Sequence, residues 1–258
     1  MLSLAPNELA ALPARPGAYL LLEGRGRILY VGRAGALRSR VRSYWSAGLT
    51  RPGLRGMVRR VRRIVVAPAA SEHEAAFIER ILLERLDPPF NRTQGVEVVV
   101  AVRLSSAPPG IAAAVELDSP GRHFGPFLGW APTLAAASAL ARIFPLHLCR
   151  PAAELGTLQR ELARRRGVSD RDVDALSARI TAVLEGDGEA LVQTIGDLER
   201  ERDRASELRL YEQAAELQRQ VVAIRWITQP QRVMRLAPSG DGWIADEGRI
   251  AEIVGALG

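Results

Sequence analysis

Between Ala18 and Asn91 the hydrophobic pattern alternates between the period of a strand and that of a helix, and turn or cap residues mark each change. Ala18 to Glu23 and Arg27 to Val31 are short β-prone runs around Gly24-Arg25-Gly26, which has the composition of a hairpin turn. Leu37, Val41, Tyr44 and Trp45 then fall at i, i+4, i+7 and i+8, one face of a helix, with Arg38 and Arg42 off that face. Thr50 to Gly56 carries Pro52 and two glycines and reads as a loop, and Val61 to Ala67 is β-branched enough for a third strand. Ser71 with Glu74 three residues on predicts a capping box, opening a helix to about Leu86 that Pro88-Pro89 ends. Residues 1–95 therefore read as a small α+β unit.

Beyond it, Glu97 to Leu104 is a strand candidate, broken by Pro108-Pro109-Gly110, and Val115 to Phe127 is β- and turn-like. Pro132 to Ile143 is an alanine-rich helix, so residues 96–150 form a mixed connecting segment. Residues 151–228 turn to long helical stretches rich in Arg, Glu and Leu. Residues 229–258 read as a hairpin about Ser239-Gly240-Asp241-Gly242 and a short closing helix.

Charge is unevenly placed. Residues 1–95 hold 16 Arg against 7 acids, a balance of +9, while residues 96–258 hold 19 Arg against 22 acids, or −3. From Gly24 to Ser71 there are twelve arginines and no acid, which points to an anionic partner, nucleic acid being the commonest. The chain has no lysine, so its 35 basic residues reflect composition bias as well as local need. No stretch approaches the apolar length of a membrane span, and the first dozen residues lack the positive start of a secretory signal. The single cysteine, Cys149, excludes an internal disulfide and fits a reducing compartment, so the expected address is the cytoplasm.

Several polar residues of this unit lie where a hairpin and two helices could converge them: Tyr19, Tyr30, Arg33, Arg40, Tyr44, Glu79 and Asn91. Each has an ordinary alternative. A strand tyrosine is usually core, a helix glutamate usually solvated, and an asparagine after proline usually a turn residue. In order, however, Pro16-Gly17-Ala18-Tyr19, Tyr30-Val31-Gly32-Arg33-Ala34, Leu37 to Tyr44, and Glu74 through Glu79 to Pro89-Phe90-Asn91 resemble the GIY-YIG nuclease family, in its UvrC-type excinuclease branch.

The resemblance implies a three-stranded antiparallel sheet flanked by helices and a metal-dependent DNA endonuclease. Phosphodiester hydrolysis needs a nucleophilic water, positive charge on the phosphate oxygens and help for the leaving oxygen. By this likeness Glu79 holds one divalent ion, Mg2+ or Mn2+. Arg40 stabilises the pentavalent phosphate, and Tyr30 or, less favoured, Tyr19 is the general base. Tyr44 and Asn91 belong to the same set, Asn91 as a hydrogen-bonding support. A phenol titrates near 10, so a phenolate would need Arg33, Arg40 and the metal close by. One departure is Arg33, where the UvrC pattern carries lysine; arginine cannot donate a proton near neutral pH. Phosphate contacts are expected from Arg38, Arg42, Arg59, Arg60, Arg62 and Arg63.

The likeness continues through His123-Phe124-Gly125-Pro126-Phe127 and Ile143-Phe144-Pro145-Leu146, where UvrC proteins carry a cysteine cluster for an iron–sulfur centre. Cys149 stands alone, so no cluster is expected, and a buried thiol is the simpler reading. Val183 to Ile224 resembles the UVR motif, a helical hairpin that docks on UvrB. Tyr211, Ala214, Leu217 and Val221 are the candidate partner residues, unless that face packs instead on Leu191, Ile195 and Leu198. The chain ends where a full UvrC continues into its second nuclease. The expected activity is therefore a single incision on the 3′ side of a DNA lesion, in nucleotide excision repair. Alternatives are a non-catalytic adaptor that binds DNA and UvrB, or a stand-alone nuclease for branched DNA.

Overall fold

The computed structural model describes residues 2–46, 54–91 and 97–255. They fall into two compact units. The first is drawn from Met1–Glu97, Gln229–Arg235 and Trp243–Gly258, the second from Val98–Thr228 and Leu236–Gly242.

The first unit is built on strands β1 (Leu2–Leu4), β2 (Gly17–Glu23), β3 (Ile28–Ala34) and β4 (Val61–Pro68), with helices α1 (Leu37–Arg42), α2 (Leu54–Arg60) and α3 (Glu72–Leu86). The sheet order is β1-β4-β2-β3, with every pairing antiparallel. The three strands expected from the sequence form its centre and one edge, and the short β1 extends it beyond β4. Nothing in the pattern of Leu2–Leu4 marks a strand by itself, because it is β4 that makes it one.

Strand alternation assigns the two faces. Tyr19 and Leu21 pack with Leu37, Val41, Tyr44 and Met57 on one face. Ala18 and Leu20 point to the other, where α3 packs on β2 and β3. Covered on both sides, β2 is buried from Gly17 to Leu22, which explains its run of consecutive apolar residues.

Helix α3 starts as its sequence predicts, with one difference. The Ser71 hydroxyl accepts from Glu74 N at 2.9 Å, while the Glu74 carboxylate reaches back to Ala70 N rather than to the cap residue itself. The helix ends at Asp87 in the left-handed region, φ 39°, just before Pro88-Pro89.

The second unit holds a three-stranded sheet of β5 (Val99–Ser106), β6 (Pro109–Ala114) and β7 (Arg122–Leu128), in the order β6-β5-β7. Pro109 therefore opens a strand where the sequence suggested only a break, since an edge strand tolerates a proline at its first residue. Helices α4 (Trp130–Ile143), α5 (Thr157–Arg166), α6 (Val173–Leu184), α7 (Gly188–Glu207) and α8 (Tyr211–Ile227) complete it. Cys149 is buried in this core, its thiol 3.8 Å from the Pro145 carbonyl.

The chain closes with β8 (Met234–Leu236), β9 (Trp243–Ala245) and α9 (Glu247–Gly255). Much of this segment belongs to the first unit. Ser71 Oγ donates to the Pro230 carbonyl at 2.6 Å, His73 N donates to Gln229 Oε1 at 3.0 Å, and Arg232 N donates to Glu74 Oε1 at 3.2 Å. The start of α3 is thus satisfied by residues more than 150 positions later in the chain.

Candidate active site

The tyrosines come together on one face of the first sheet. Tyr19 on β2 and Tyr30 on β3 point to the same side, since Leu21 pairs with Tyr30 and Tyr19 with Gly32. Tyr44 arrives from the 3-10 turn Ser43–Trp45 that continues α1. The three rings form a nearly equilateral triangle, with centroids 6.2, 6.0 and 6.1 Å apart. The Tyr19 and Tyr44 hydroxyls share a hydrogen bond of 2.7 Å. Arg40, one helical turn before Tyr44, lies over its ring at 5.5 Å.

Gly32 makes this triangle possible. A Cβ there would lie 2.4 Å from the Tyr19 hydroxyl oxygen and 2.5 Å from its Cζ, so the strand partner of Tyr19 has room for hydrogen only. The spacing Tyr30-Val31-Gly32 thus brings a ring and the space for its neighbour in one strand.

Arg33 and Glu79 lie on the opposite face. Arg33 pairs with Ala18, so it points toward α3, and its Nε lies 3.4 Å from Glu79 Oε2. β3 is the outer strand of the sheet, and across it the Glu79 charge acts on Tyr30 and the Arg40 charge on Glu79. Asn91 holds the edge itself. Its Oδ1 accepts from Val31 N at 3.0 Å and its Nδ2 donates to Val31 O at 2.8 Å, while Phe90 N donates to Leu29 O at 3.2 Å. Asn91 thus completes the ladder between Tyr30 and Gly32, a supporting place and not one aimed outward.

The electrostatics follow from burial. The Tyr19 hydroxyl is pushed up to about 12, chiefly by burial and then by Tyr30, against opposing pulls from Tyr44 and Arg40. Tyr30 and Tyr44 are raised as well, again mainly by burial. The arginines at hand therefore do not by themselves produce a phenolate at neutral pH. Glu79 is held above its ordinary range, first by burial, with Arg33 pulling down and Glu97 pushing up. A partly buried carboxylate oxygen is a hard donor that could hold one divalent cation, with the other positions going to water and phosphate. Glu79 is the carboxylate beside the triangle that could take that place.

Glu97 was not among the residues expected from the sequence. Arg33 Nη1 and Nη2 lie 3.2 and 3.3 Å from its two carboxylate oxygens. No local pattern signals this, because the pairing joins residues 64 positions apart.

The expected DNA-binding arginines differ in their freedom. Arg60 forks onto Glu23 at 3.0 and 3.1 Å and lies over Phe90, so its charge already has a partner. Arg38 donates through Nε to the Leu12 carbonyl at 2.6 Å, and Arg62 through Nη1 to the Arg59 carbonyl at 2.7 Å. Arg42 and Arg59 are exposed, while Arg63 is half-buried.

Two of the expected partner residues have to be corrected. Leu217 and Val221 are buried in the core of the second unit with Ile195 and Leu198 of α7, so they cannot meet another protein. Ala214 is partly buried against the same cluster. Tyr211 alone of the four is well exposed, at 67%, beside Leu208 and Leu210 at the turn between α7 and α8. The apolar stripe read on α8 is real, but it is covered within the chain, where α4 and α7 both pack on α8.

A family model for the UvrC-like GIY-YIG domain matches residues 15–92, the stretch that carries the triangle, Glu79 and Asn91. Residues 15–92 form a UvrC-like GIY-YIG domain. UvrABC system protein C of Sphingopyxis alaskensis is 30% identical over 243 residues, covering 86% of this chain and 36% of that protein. The Symbiobacterium thermophilum protein of that name is 31% identical over 242 residues, covering 88% of this chain and 38% of its own length. The chain thus spans well under half of these curated relatives. Among solved structures, the GIY-YIG N-terminal endonuclease domain of UvrC from Thermotoga maritima, bound to its catalytic magnesium, aligns at 24% identity with a TM-score of 0.31. That alignment covers 33% of this chain and 92% of the other.

Proposed function

We propose that this protein is a divalent-metal-dependent DNA endonuclease of nucleotide excision repair, cutting one strand on the 3′ side of a lesion. The observation that carries this reading is the tyrosine triangle on one face of β3 with the Glu79 carboxylate on the other, near enough for its charge to act on Tyr30. The match of residues 15–92 to the UvrC-like GIY-YIG domain and the likeness to UvrABC system protein C support the choice of DNA and of repair.

In this reading Glu79 holds one Mg2+ or Mn2+, which when bound supplies positive charge to the scissile phosphate and leaving oxygen. Arg40 sits beside the triangle and stabilises the equatorial phosphate oxygens with its planar fork. Tyr30, the one ring of the three that is not fully buried, takes the proton of the attacking water in its ionised, phenolate form and becomes the neutral phenol. Tyr19 and Tyr44 stand behind it, and their shared hydrogen bond fixes the orientation of the cluster. Asn91 keeps β3 straight at Val31, between Tyr30 and Gly32. Arg42 and Arg59 contact the DNA backbone, so affinity falls as salt rises and depends little on sequence.

Docking on a UvrB-type helicase would use the exposed Tyr211 with Leu208 and Leu210. A lesion-bearing duplex with magnesium should be nicked once, 3′ to the damage, and more rapidly with UvrB present. Glu79→Gln should abolish the nick, and cutting that persists in this variant overturns the assignment of Glu79. Tight DNA binding without any incision, with or without UvrB, would favour the adaptor instead.

A further inference from the structure

The Arg33 guanidinium is divided between two carboxylates in unequal ways. Both terminal nitrogens face the two oxygens of Glu97, at 3.2 and 3.3 Å, while toward Glu79 the guanidinium turns its Nε, at 3.4 Å. The paired, planar contact is the stronger arrangement for arginine, so Glu97 sets where the fork points. Arginine stays charged at any working pH and cannot relieve the competition by losing a proton. A guanidinium closed as a fork on Glu79 would occupy both of its oxygens and leave neither to a cation. Glu97 lies outside the matched stretch of residues 15–92, so the domain pattern says nothing of it.

We propose that Glu97 is a positioning residue for the Glu79 site: by holding the fork of Arg33, it keeps that guanidinium from closing on Glu79 and leaves the carboxylate open to a divalent cation. The inference rests on the reading of Glu79 as the metal carboxylate. It explains how a chain with arginine after Tyr30-Val31-Gly32 keeps a usable site, since the added fork has its own acceptor. A simpler role for Glu97, as one more negative charge drawing cations, makes different predictions. That role needs no arginine and is kept by aspartate.

The test is Mn2+ binding to the full chain without DNA, followed by calorimetry, with thermal melting to check that each variant is folded. Glu97→Gln should weaken binding by roughly 10-fold, the lower end of what outer-shell partners contribute. Glu97→Asp, which keeps the charge but withdraws the carboxylate by one methylene, should weaken it similarly. Arg33→Gln should tighten binding, and adding Glu97→Gln to it should change nothing further. Unchanged affinity in Glu97→Gln, wild-type affinity in Glu97→Asp, or an equal loss in the Arg33→Gln background each overturn the proposal while leaving Glu79 in place. A binding curve that Glu79→Gln does not alter overturns both the proposal and the metal assignment.

Discussion

Asn91 pairs with Val31 as a neighbouring strand would, giving one acceptor and one donor to the same residue at 3.0 and 2.8 Å. That bond pair sits on the edge strand between Tyr30 and Gly32, so a residue 60 positions away governs the straightness of the strand that carries the site.

Replacing one donor by an acceptor tests this. Asn91→Asp keeps the oxygen that faces Val31 N but sets a second one against the Val31 carbonyl. We expect it to cost about 1–3 kcal/mol of stability, more than Asn91→Ala, and to lower incision. Urea denaturation of the two variants ranks them, and a more stable aspartate variant contradicts the bond pair.

Gly32 is the second fixed point. In Gly32→Ala the methyl meets the Tyr19 hydroxyl and Cζ at 2.4 and 2.5 Å, so the buried ring has to shift. A loss of about 1–3 kcal/mol is expected, as for other overpacked cores. Adding Tyr19→Phe should recover part of it, and a double variant no more stable than the single one argues against a clash at the hydroxyl.

The tyrosine hydroxyls predict a pH dependence of the reaction. Burial raises Tyr30, so only a small fraction is ionised near neutral pH, and that fraction grows as pH rises. The incision rate should climb across roughly pH 6 to 9, and Tyr30→Phe should lose on the order of 100-fold in rate along with that climb. A flat profile in the wild type places the general base elsewhere.

His73 predicts a pH dependence of stability. It is buried beside Phe77, and burial, aided by Arg33, lowers it from 6.5 to about 4. Between these values the unfolded chain binds a proton that the folded chain does not. Its contribution is therefore complete above about pH 6.5 and is lost as pH falls toward 4. Going from pH 7.5 to 5 should remove about 2 kcal/mol through this group. His73→Gln should show a correspondingly smaller drop in urea titrations at the two pH values, and an equal drop refutes the assignment.

Leu217 and Tyr211 should separate cleanly. Leu217→Ala opens a cavity in the second unit and should cost about 2–5 kcal/mol, whereas Tyr211→Ala should change stability little. If a UvrB-type partner docks here, Tyr211→Ala should instead weaken its capture. Melting curves and a pull-down with purified partner distinguish the two effects.

What could be read in the sequence was what lies close along the chain. Ser71 with Glu74, the Pro88-Pro89 stop and the hairpin around Gly24-Arg25-Gly26 are local devices, and their elements form where expected. The positions of Tyr19, Tyr30 and Tyr44 follow from strand and helix periods, so their meeting was legible too. Leu217 and Val221 show the limit of that approach. Helical spacing revealed an apolar face, but only the packing of α4 and α7 decides whether the face is covered. Glu97, the edge position of β3 and the partners of α3 near Pro230 depend on distant contacts that no window of sequence contains.

The return of Gln229–Arg235 to the start of α3 makes the first unit discontinuous in sequence, with the second unit inserted into it. A fragment ending at Glu97 would lose the acceptors of Ser71 Oγ and His73 N, and the partner of Glu74 Oε1. Conversely, a single protease nick within α5 would leave two pieces held together by these bonds and by the core of the second unit, where α4 packs on α7 and α8. Such a nicked protein should run as one species on a native column and as two in denaturant.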